Sequence, residues 1–598
     1  MFYSQPDSPK LGEIQEELRD ADIAKLPLMN ILILRTIIIE PISSYLKYYA
    51  FKLGYNANIN FGSYGTLYQD AVRDDNNLFK LKYDFILIFS PINTLFPKID
   101  FLNQDIKRND LIEEDKKLKV FFSDVIKAIR KKSEAPILWH SFESQPYPSL
   151  GIYDYQCSYG STSFISKVNR SLREEIASNT DAYIVNMNSC LLRLGTNNFY
   201  DSRFWLSSSA PYTIQACAEI ASEDFKFIKS LTGNTKKCII LDCDNTLWGG
   251  IIGEDGIDGI SLSESGEGCS YYYFQKELVC LHSRGFLLAL CSKNNEKDVW
   301  EVFDNHPSMV LKRKHISSSK INWSDKPINI RKISNELNIS TDSLIFIDDN
   351  PAEIDLVKAE IPEVEVLHLE TCNTSTNIWK LRALNSLSQH IITEDDKIRS
   401  SIITSNILVN KEIEQTPNIN KYLKSLEMCI NIGKADNESK KRISQLTKRT
   451  NQFNLTSRRY TEKQIQYLIE DSSYIVLWLT LKDKYGAHGM VACAIIKVNV
   501  SIAIIDTFLM SCRILGRGVE TVFLNRIISL LKDFGVQKIY GEYLASAKNS
   551  QVKNFYLDHR FTQEDDREGS NGTFYSIKIS SLEDHSTSNF LSVTMDYQ

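Results

Sequence analysis

Three short apolar runs in the middle of the chain, residues 238–241, 286–290 and 344–347, each stop abruptly at a cluster of polar side chains. A strand that is apolar throughout fits where both of its faces are buried, as in a parallel sheet covered by helices. Stretches of helical length lie between the runs, so β and α alternate, and a fourth run at 364–369 closes the series. Sites in open parallel sheets form at the carboxyl ends of the strands, which is where the polar clusters fall. The pattern predicts a Rossmann-like α/β domain over 236–372.

The flanking sequence divides on the same grounds. In residues 1–230, apolar runs at 31–34, 85–89 (FILIF), 137–139 and 183–185 alternate with charged helical stretches such as 105–132, which predicts another α/β domain. Residues 421–580 carry three adjacent runs, 474–482, 491–499 and 502–509, that read as antiparallel strands, then a glycine turn and a helix at 519–534. That order predicts an α+β domain. Between these blocks, 373–420 is polar and helix-like, a linker, and the Ser-rich stretch 581–598 is expected to be a loose tail. A multidomain α/β protein suits 598 residues, at roughly 100–200 per domain.

Composition excludes several classes. A net charge of −6 gives no bulk attraction for nucleic acid. Twelve cysteines without a CxxC pair argue against a zinc ribbon or a disulfide framework and for a reducing cytoplasm. The N-terminal residues are polar and charged, so no signal peptide is expected. The most apolar stretch, 31–39, is broken by Arg35 and falls far short of the roughly 20 residues of a membrane helix, so no membrane partner is expected.

The chemistry centres on LDCDNTLWGG, residues 241–250. Side chains at i and i+2 of an extended segment point the same way, so Asp242 and Asp244 face one substrate. Asp242 is the candidate nucleophile for a phosphoryl group and Asp244 the candidate general acid/base. Neighbouring carboxylates repel unless a cation shares them, so Mg²⁺ is expected, with Asp348 and Asp349 at the end of the 344–347 run completing the metal set with Asp242 and Asp244. Ser292, at the end of the 286–290 run, is placed to hydrogen-bond a phosphate oxygen. Lys326 is the candidate for neutralising phosphoryl charge, with Lys320 as rival. Cys243 has two readings, a small core residue facing away from the aspartates or an acyl-accepting thiol.

This set resembles the haloacid dehalogenase superfamily. LDCDNTLWGGIIGEDG, CSKNN, INWSDKPINI, FIDDNPAE and NQFNLTSRRY together resemble the FkbH-like family. The likeness covers residue 236 to about 561 and is weaker in the first block, at FGSYGTLYQD and FYDSRFW. It implies a leading SGNH-hydrolase-like domain, here without an evident catalytic serine block. It also implies an enzyme that takes 1,3-bisphosphoglycerate, removes phosphate and loads a glyceryl group onto the phosphopantetheine thiol of an acyl carrier protein in polyketide-like biosynthesis. The implied metal arrangement uses the Asp244 backbone carbonyl. Only 50 positions separate Asp242 from Ser292, too few for a large cap, so an open site is expected.

In the third block, Arg513, Gly516 and Gly518 sit between an apolar strand and a helix start, where free backbone N–H groups cradle anions. RxxGxG there, with Asn554-Phe555-Tyr556 downstream, resembles the pyrophosphate loop of GNAT acetyltransferases, which implies coenzyme A or a carrier-bound phosphopantetheine as ligand. His488 reads as either a catalytic or a turn histidine. The main alternative function is a small-molecule phosphatase with an accessory GNAT-type domain; a structural haloacid dehalogenase block beside an active acyltransferase, and a non-enzymatic scaffold, are further alternatives that the intact motifs disfavour.

Overall fold

The computed structural model describes residues 10–20, 22–74, 77–101, 108–392, 426–484, 486–511, 514–515, 517–546, 549–564, 572–581 and 591–596. The chain divides into two compact units, Met1–Lys229 and Ser230–Gln598.

The first unit is built on five strands: β1 (Leu28–Arg35), β2 (Asn56–Phe61), β3 (Phe85–Phe89), β4 (Ile137–His140) and β5 (Ala182–Val185). All pair in parallel, in the order β2-β1-β3-β4-β5. Every residue of β3 is buried. Ile86 and Ile88 join Phe122, Trp139 and Phe164 in one core, which the helices Arg108–Lys132 and Ser161–Ala177 cover. Burial of Ile33, Leu87 and Phe89 on the opposite parity shows that the other face is covered too. β2 falls outside the sequence expectation, because NANINF lacks an apolar run and is only partly buried at the sheet edge.

The second unit opens with another parallel sheet: β6 (Cys238–Leu241), β7 (Leu287–Ser292), β8 (Ile316–Ile321), β9 (Leu344–Asp348) and β10 (Glu365–His368), in the order β10-β9-β6-β7-β8. β6 is central, so the DxD segment leaves the middle of the sheet. β8 was not expected from ISSSKI, whose serines carry no apolar signal; Ser318 is buried by donating to Glu336 Oε2 at 2.8 Å. The helices Ile252–Gly259 and Cys269–Ser283, between β6 and β7, put Ile252, Phe274 and Leu278 into the same core as Leu241 and Leu288. They pack on the sheet rather than forming a separate cap.

Of the expected linker, Asn377–Ala383 is helical, and residues 393–420 lie outside the described residues. The third sheet then follows: β11 (Met428–Lys434), β12 (Tyr474–Asp483), β13 (Gly486–Asn499), β14 (Ile502–Met510), β15 (Lys538–Tyr543), β16 (Thr562–Gln563), β17 (Thr573–Lys578) and β18 (Leu591–Asp596). Its order is β16-β17-β15-β14-β13-β12-β11-β18. From β11 to β14 each strand is antiparallel to the next, while β14 and β15 run parallel. Within the expected loose tail, residues 591–596 form the last of these strands, and 582–590 and 597–598 lie outside the described residues. Leu591, Val593 and Met595 alternate with polar residues, and this segment adds in parallel to the edge of β11, satisfying backbone groups that an open edge would expose.

β14 and β15 pair only from Ile502–Lys538 to Ile505–Gly541 and then diverge. The segment 453–456 enters the opening. Leu455 N–H donates to Phe508 O at 3.1 Å, Leu544 N–H donates to Leu455 O at 2.9 Å, and Met510 N–H donates to Phe453 O at 2.9 Å. Asn549, fully buried, donates to Asn454 O at 2.9 Å and fixes the wedge from its far side. No helix among the described residues is long and apolar enough to cross a membrane.

Candidate functional site

Three neighbouring strands deliver the predicted residues to one place. Asp242 follows β6, its N–H donating to Ile347 O of β9 at 3.0 Å. Ser292 is the last residue of β7 and Asp348 the last of β9. Lys326 opens the helix Lys326–Leu337, with Pro327 fixing its first turn. Lys326 Nζ lies 3.0 Å from Asp242 Oδ1 and also donates to Asp348 Oδ2. Lys326 is 3 % exposed, so this ammonium is buried with its two partners. Lys320, the rival, is engaged elsewhere, donating to Glu336 Oε2 at 2.6 Å.

Burial pushes the Asp242 carboxyl up; the Lys326 charge pulls it down and Asp348 adds to the rise. Burial, then the Asp242 charge, pushes Asp349 up to about 6. Burial works against the Lys326 charge, but Asp242 and Asp348 overcome it and hold its pKa above the ordinary lysine range. The Ser292 hydroxyl lies near enough to Asp242 to pull its carboxyl down as well.

Asp242, Asp348 and Asp349 each offer an oxygen within 4.8 Å of the others. This donor set is all hard carboxylate oxygen, the type that suits Mg²⁺. Three carboxylates face one ammonium, so the site fits a divalent cation by charge as well. A second carboxylate-bearing trio, Cys190, Glu219 and Glu223, is already neutralised, because Arg193 bridges both glutamates.

Asp244 stands apart from the trio. Its Oδ1 accepts from Trp248 Nε1 at 2.9 Å and Ile252 N at 3.1 Å, and its Oδ2 accepts from Asn294 Nδ2 at 2.9 Å. Asn294 Nδ2 also lies 3.2 Å from Ser292 Oγ, tying the acid/base candidate to the phosphate-binding candidate. Sequence reasoning gave Asn294 and Trp248 no role. The available signal was an amide two residues beyond a strand-end serine.

Cys243 continues the face of Ile239 and Leu241 into the apolar core and is fully buried. Burial, then the Asp242 charge, pushes its thiol well above the usual range. This is the core-residue reading; the geometry gives no support to a reactive thiolate.

In the third sheet, Arg513 and Gly516 lie outside the described residues. Gly518 caps the helix Val519–Asp533 at φ +75°, a left-handed conformation that glycine takes readily. His488 is 2 % exposed, with Nε2 2.8 Å from Asp483 Oδ2, and Arg517 donates to the same oxygen at 2.7 Å. That burial fits a structural histidine better than a catalytic one.

No family model matches the chain, and no curated protein matches it. Among solved structures, the chain is similar to the N-terminal part of a Bacteroides fragilis protein, containing a phosphatase domain and complexed with Mg. Identity is 26%, over 64% of this chain and 100% of that one, with a TM-score of 0.58. It is also similar to the ribosomal-protein-S18-alanine N-acetyltransferase of Escherichia coli, at 16% identity over 26% of this chain and 99% of that one, TM-score 0.21. A third likeness is to Ard1 of Thermoplasma volcanium, at 15% identity over 26% and 99%, TM-score 0.20. The first is a likeness to a phosphatase-domain protein over the larger part of this chain.

Proposed function

We propose that the strand-end site of β6, β7 and β9 is a phosphoryl-transfer site of the haloacid dehalogenase type that hydrolyses a small phosphorylated molecule with Mg²⁺. The observation that carries this reading is the convergence of Asp242, Ser292, Lys326 and Asp348 at the carboxyl ends of three adjacent parallel strands. The Mg-complexed phosphatase-domain structure from Bacteroides fragilis supports it. Asp242, Asp348 and Asp349 would hold the ion, with the Asp244 carbonyl as a further ligand. Mg²⁺ would supply charge stabilisation for the phosphoryl oxygens.

The chain's own residues account for the rest. An Asp242 carboxylate oxygen attacks phosphorus; the new P–O bond forms as the bond to the leaving oxygen breaks. Asp244 delivers a proton to that oxygen, then takes one from the water that attacks the aspartyl phosphate. Water's oxygen leaves with the phosphate, and Asp242 is regenerated. Lys326 and Ser292 hold the transferring oxygens, and Asn294 and Trp248 keep Asp244 aimed.

Phosphate release from an aryl phosphate tests this directly. Turnover should require added Mg²⁺, stop with EDTA, and fall by orders of magnitude in Asp242→Asn. Turnover of Asp242→Asn at the wild-type rate would overturn the assignment.

A finer reading is favoured by the packed-down helices between β6 and β7, which leave no separate cap, and by Trp323, 71 % exposed on the loop that leads to Lys326. An uncapped site beside an exposed aromatic suits a bulky, carrier-borne substrate. In this reading the protein is FkbH-like and loads a glyceryl group from 1,3-bisphosphoglycerate onto an acyl carrier protein. The third sheet is then a GNAT-like domain that handles a phosphopantetheine arm or coenzyme A, and the first unit an SGNH-like scaffold. Intact-mass measurement of a phosphopantetheinylated carrier, incubated with enzyme and 1,3-bisphosphoglycerate, should show a glyceryl adduct. An unmodified carrier alongside normal aryl phosphate turnover leaves the phosphatase reading standing and removes this one.

A further inference from the structure

We infer that the unit Met1–Lys229 holds a second binding site, a cavity at the carboxyl ends of β3 and β4 that takes a small organic cation bearing an ammonium group. The cavity has a volume of about 210 Å³. Its floor comes from Pro91, Ile92 and Asn93, just after β3, and from the segment 143–146, just after β4. In an open parallel sheet this edge is where ligands bind. The site lies apart in sequence from the phosphoryl-transfer residues and does not depend on their assignment.

The chemistry of the walls selects the ligand. Among the described residues that line the cavity there is no lysine, arginine or histidine, whereas Asp100, Glu143 and Asp201 all contribute carboxyl groups. Asp201 is committed, since its carboxylate accepts from Arg203 N at 3.0 Å and Phe204 N at 3.2 Å at the start of a helix. Asp100 and Glu143 remain as anchors. A phosphate or carboxylate ligand finds no cation among these residues, and the buried Glu143 and half-buried Asp100 would repel it.

Hydrogen-bond supply points the same way. Gln145 Nε2 donates to Asp100 Oδ1 at 2.6 Å, and the Tyr212 hydroxyl donates to Glu143 Oε1. Two of the wall's donors are thus turned onto its own acids. Both acids offer carboxyl oxygens as acceptors to a ligand that donates. An ammonium group brings up to three donors together with the missing positive charge.

Burial supports this. It pushes both the Asp100 and the Glu143 carboxyl above the ordinary range, on Glu143 against the pull of the Tyr212 hydroxyl and of His140. The aromatic lining residues Tyr200 and Trp205 provide ring faces, which attract organic cations. Size limits the ligand: drug-sized ligands occupy cavities of about 300 Å³ or more, so this one suits an amine of a few heavy atoms.

Calorimetric titration of the whole protein with ethanolammonium chloride tests the proposal, with glycerol and potassium chloride titrated in parallel. The expected result is saturable one-to-one binding of ethanolammonium, with no saturable signal from glycerol or the salt. Glu143→Gln should weaken binding at least tenfold, and both variants should keep wild-type release of phosphate from an aryl phosphate. Asp100→Asn, at a less buried position, should weaken binding as well and gives the reading if Glu143→Gln does not fold. Glycerol binding as tightly as ethanolammonium would make this a polyol site and overturn the proposal. So would the absence of saturable amine binding, or full binding in a folded Asp100→Asn protein.

Discussion

Asp244 is held by three donors, from a tryptophan ring, a backbone N–H and the Asn294 amide. In the proposed mechanism Asp244 works as acid and base only while it points at the reacting oxygen, which would make these donors positioning elements. Asn294→Ala should lower kcat by roughly 10- to 100-fold with little change in KM, by analogy with the loss of one oriented donor elsewhere. Steady-state assays with an aryl phosphate, beside a thermal melt, check this; a wild-type kcat would reduce Asn294 to packing. The two lysines separate in the same assay. Lys320→Ala should leave turnover intact, because its ammonium is spent on Glu336, and Lys326→Ala should abolish it. The DxD pair and the strand-end serine and aspartates are legible in the sequence because each follows an unbroken apolar run. The hold on Asp244 is not legible, because it depends on a turn in which Asn245 takes φ +52° and brings Trp248 back over the carboxylate.

Elements were readable to the extent that burial was written as an apolar run. FILIF at β3 and CIIL at β6 are buried at every position and have the same bounds in sequence and structure. KIYGEY at β15 conceals its strand, because Gly541 interrupts it. That glycine is needed: a Cβ there would sit 2.2 Å from the Tyr556 ring. At Gly518 the constraint is different, since a Cβ would meet nothing within 4 Å among the described residues and the φ of +75° favours glycine. Gly518→Val should therefore cost about 1 kcal/mol or somewhat more through backbone strain, not through a clash. The expected signature is a melting temperature lower by a few degrees with aryl phosphate turnover unchanged. Under the carrier-loading proposal, glyceryl transfer would also fall. A variant as stable as the wild type would show that the turn tolerates a side chain.

At the scale of the whole molecule, the carboxylate trio should link stability to pH and to metal. The Asp349 pKa is raised from 3.8 to about 6 in the folded state, and Asp242 shifts in the same direction. As pH rises, the unfolded chain loses these protons first. The stability they contribute is thus full below about 4 and lost as pH climbs through about 6. EDTA-treated protein should melt at lower temperature at pH 6.5 than at pH 4 on this account, other titrations held aside by comparison with Asp349→Asn. Added Mg²⁺ should raise the melting temperature more at pH 6.5, where it does not compete with protons. A Mg²⁺ response equal at both pH values would count against the trio as the metal site.

The wedge formed by residues 453–456 bears on how the molecule is made. Its backbone partners are Phe508 and Met510 on one strand and Leu544 beyond the other, all far along the chain. The wedge cannot seat until both flanking strands exist, and those strands cannot finish their hydrogen bonding without it. Contacts between such distant segments form slowly. During synthesis, the NQFNLT segment leaves the ribosome well before its partners and must wait with its apolar residues uncovered. Refolding of this part should show a late phase in which burial of Phe453 and Leu455 lags the pairing of β12 with β13.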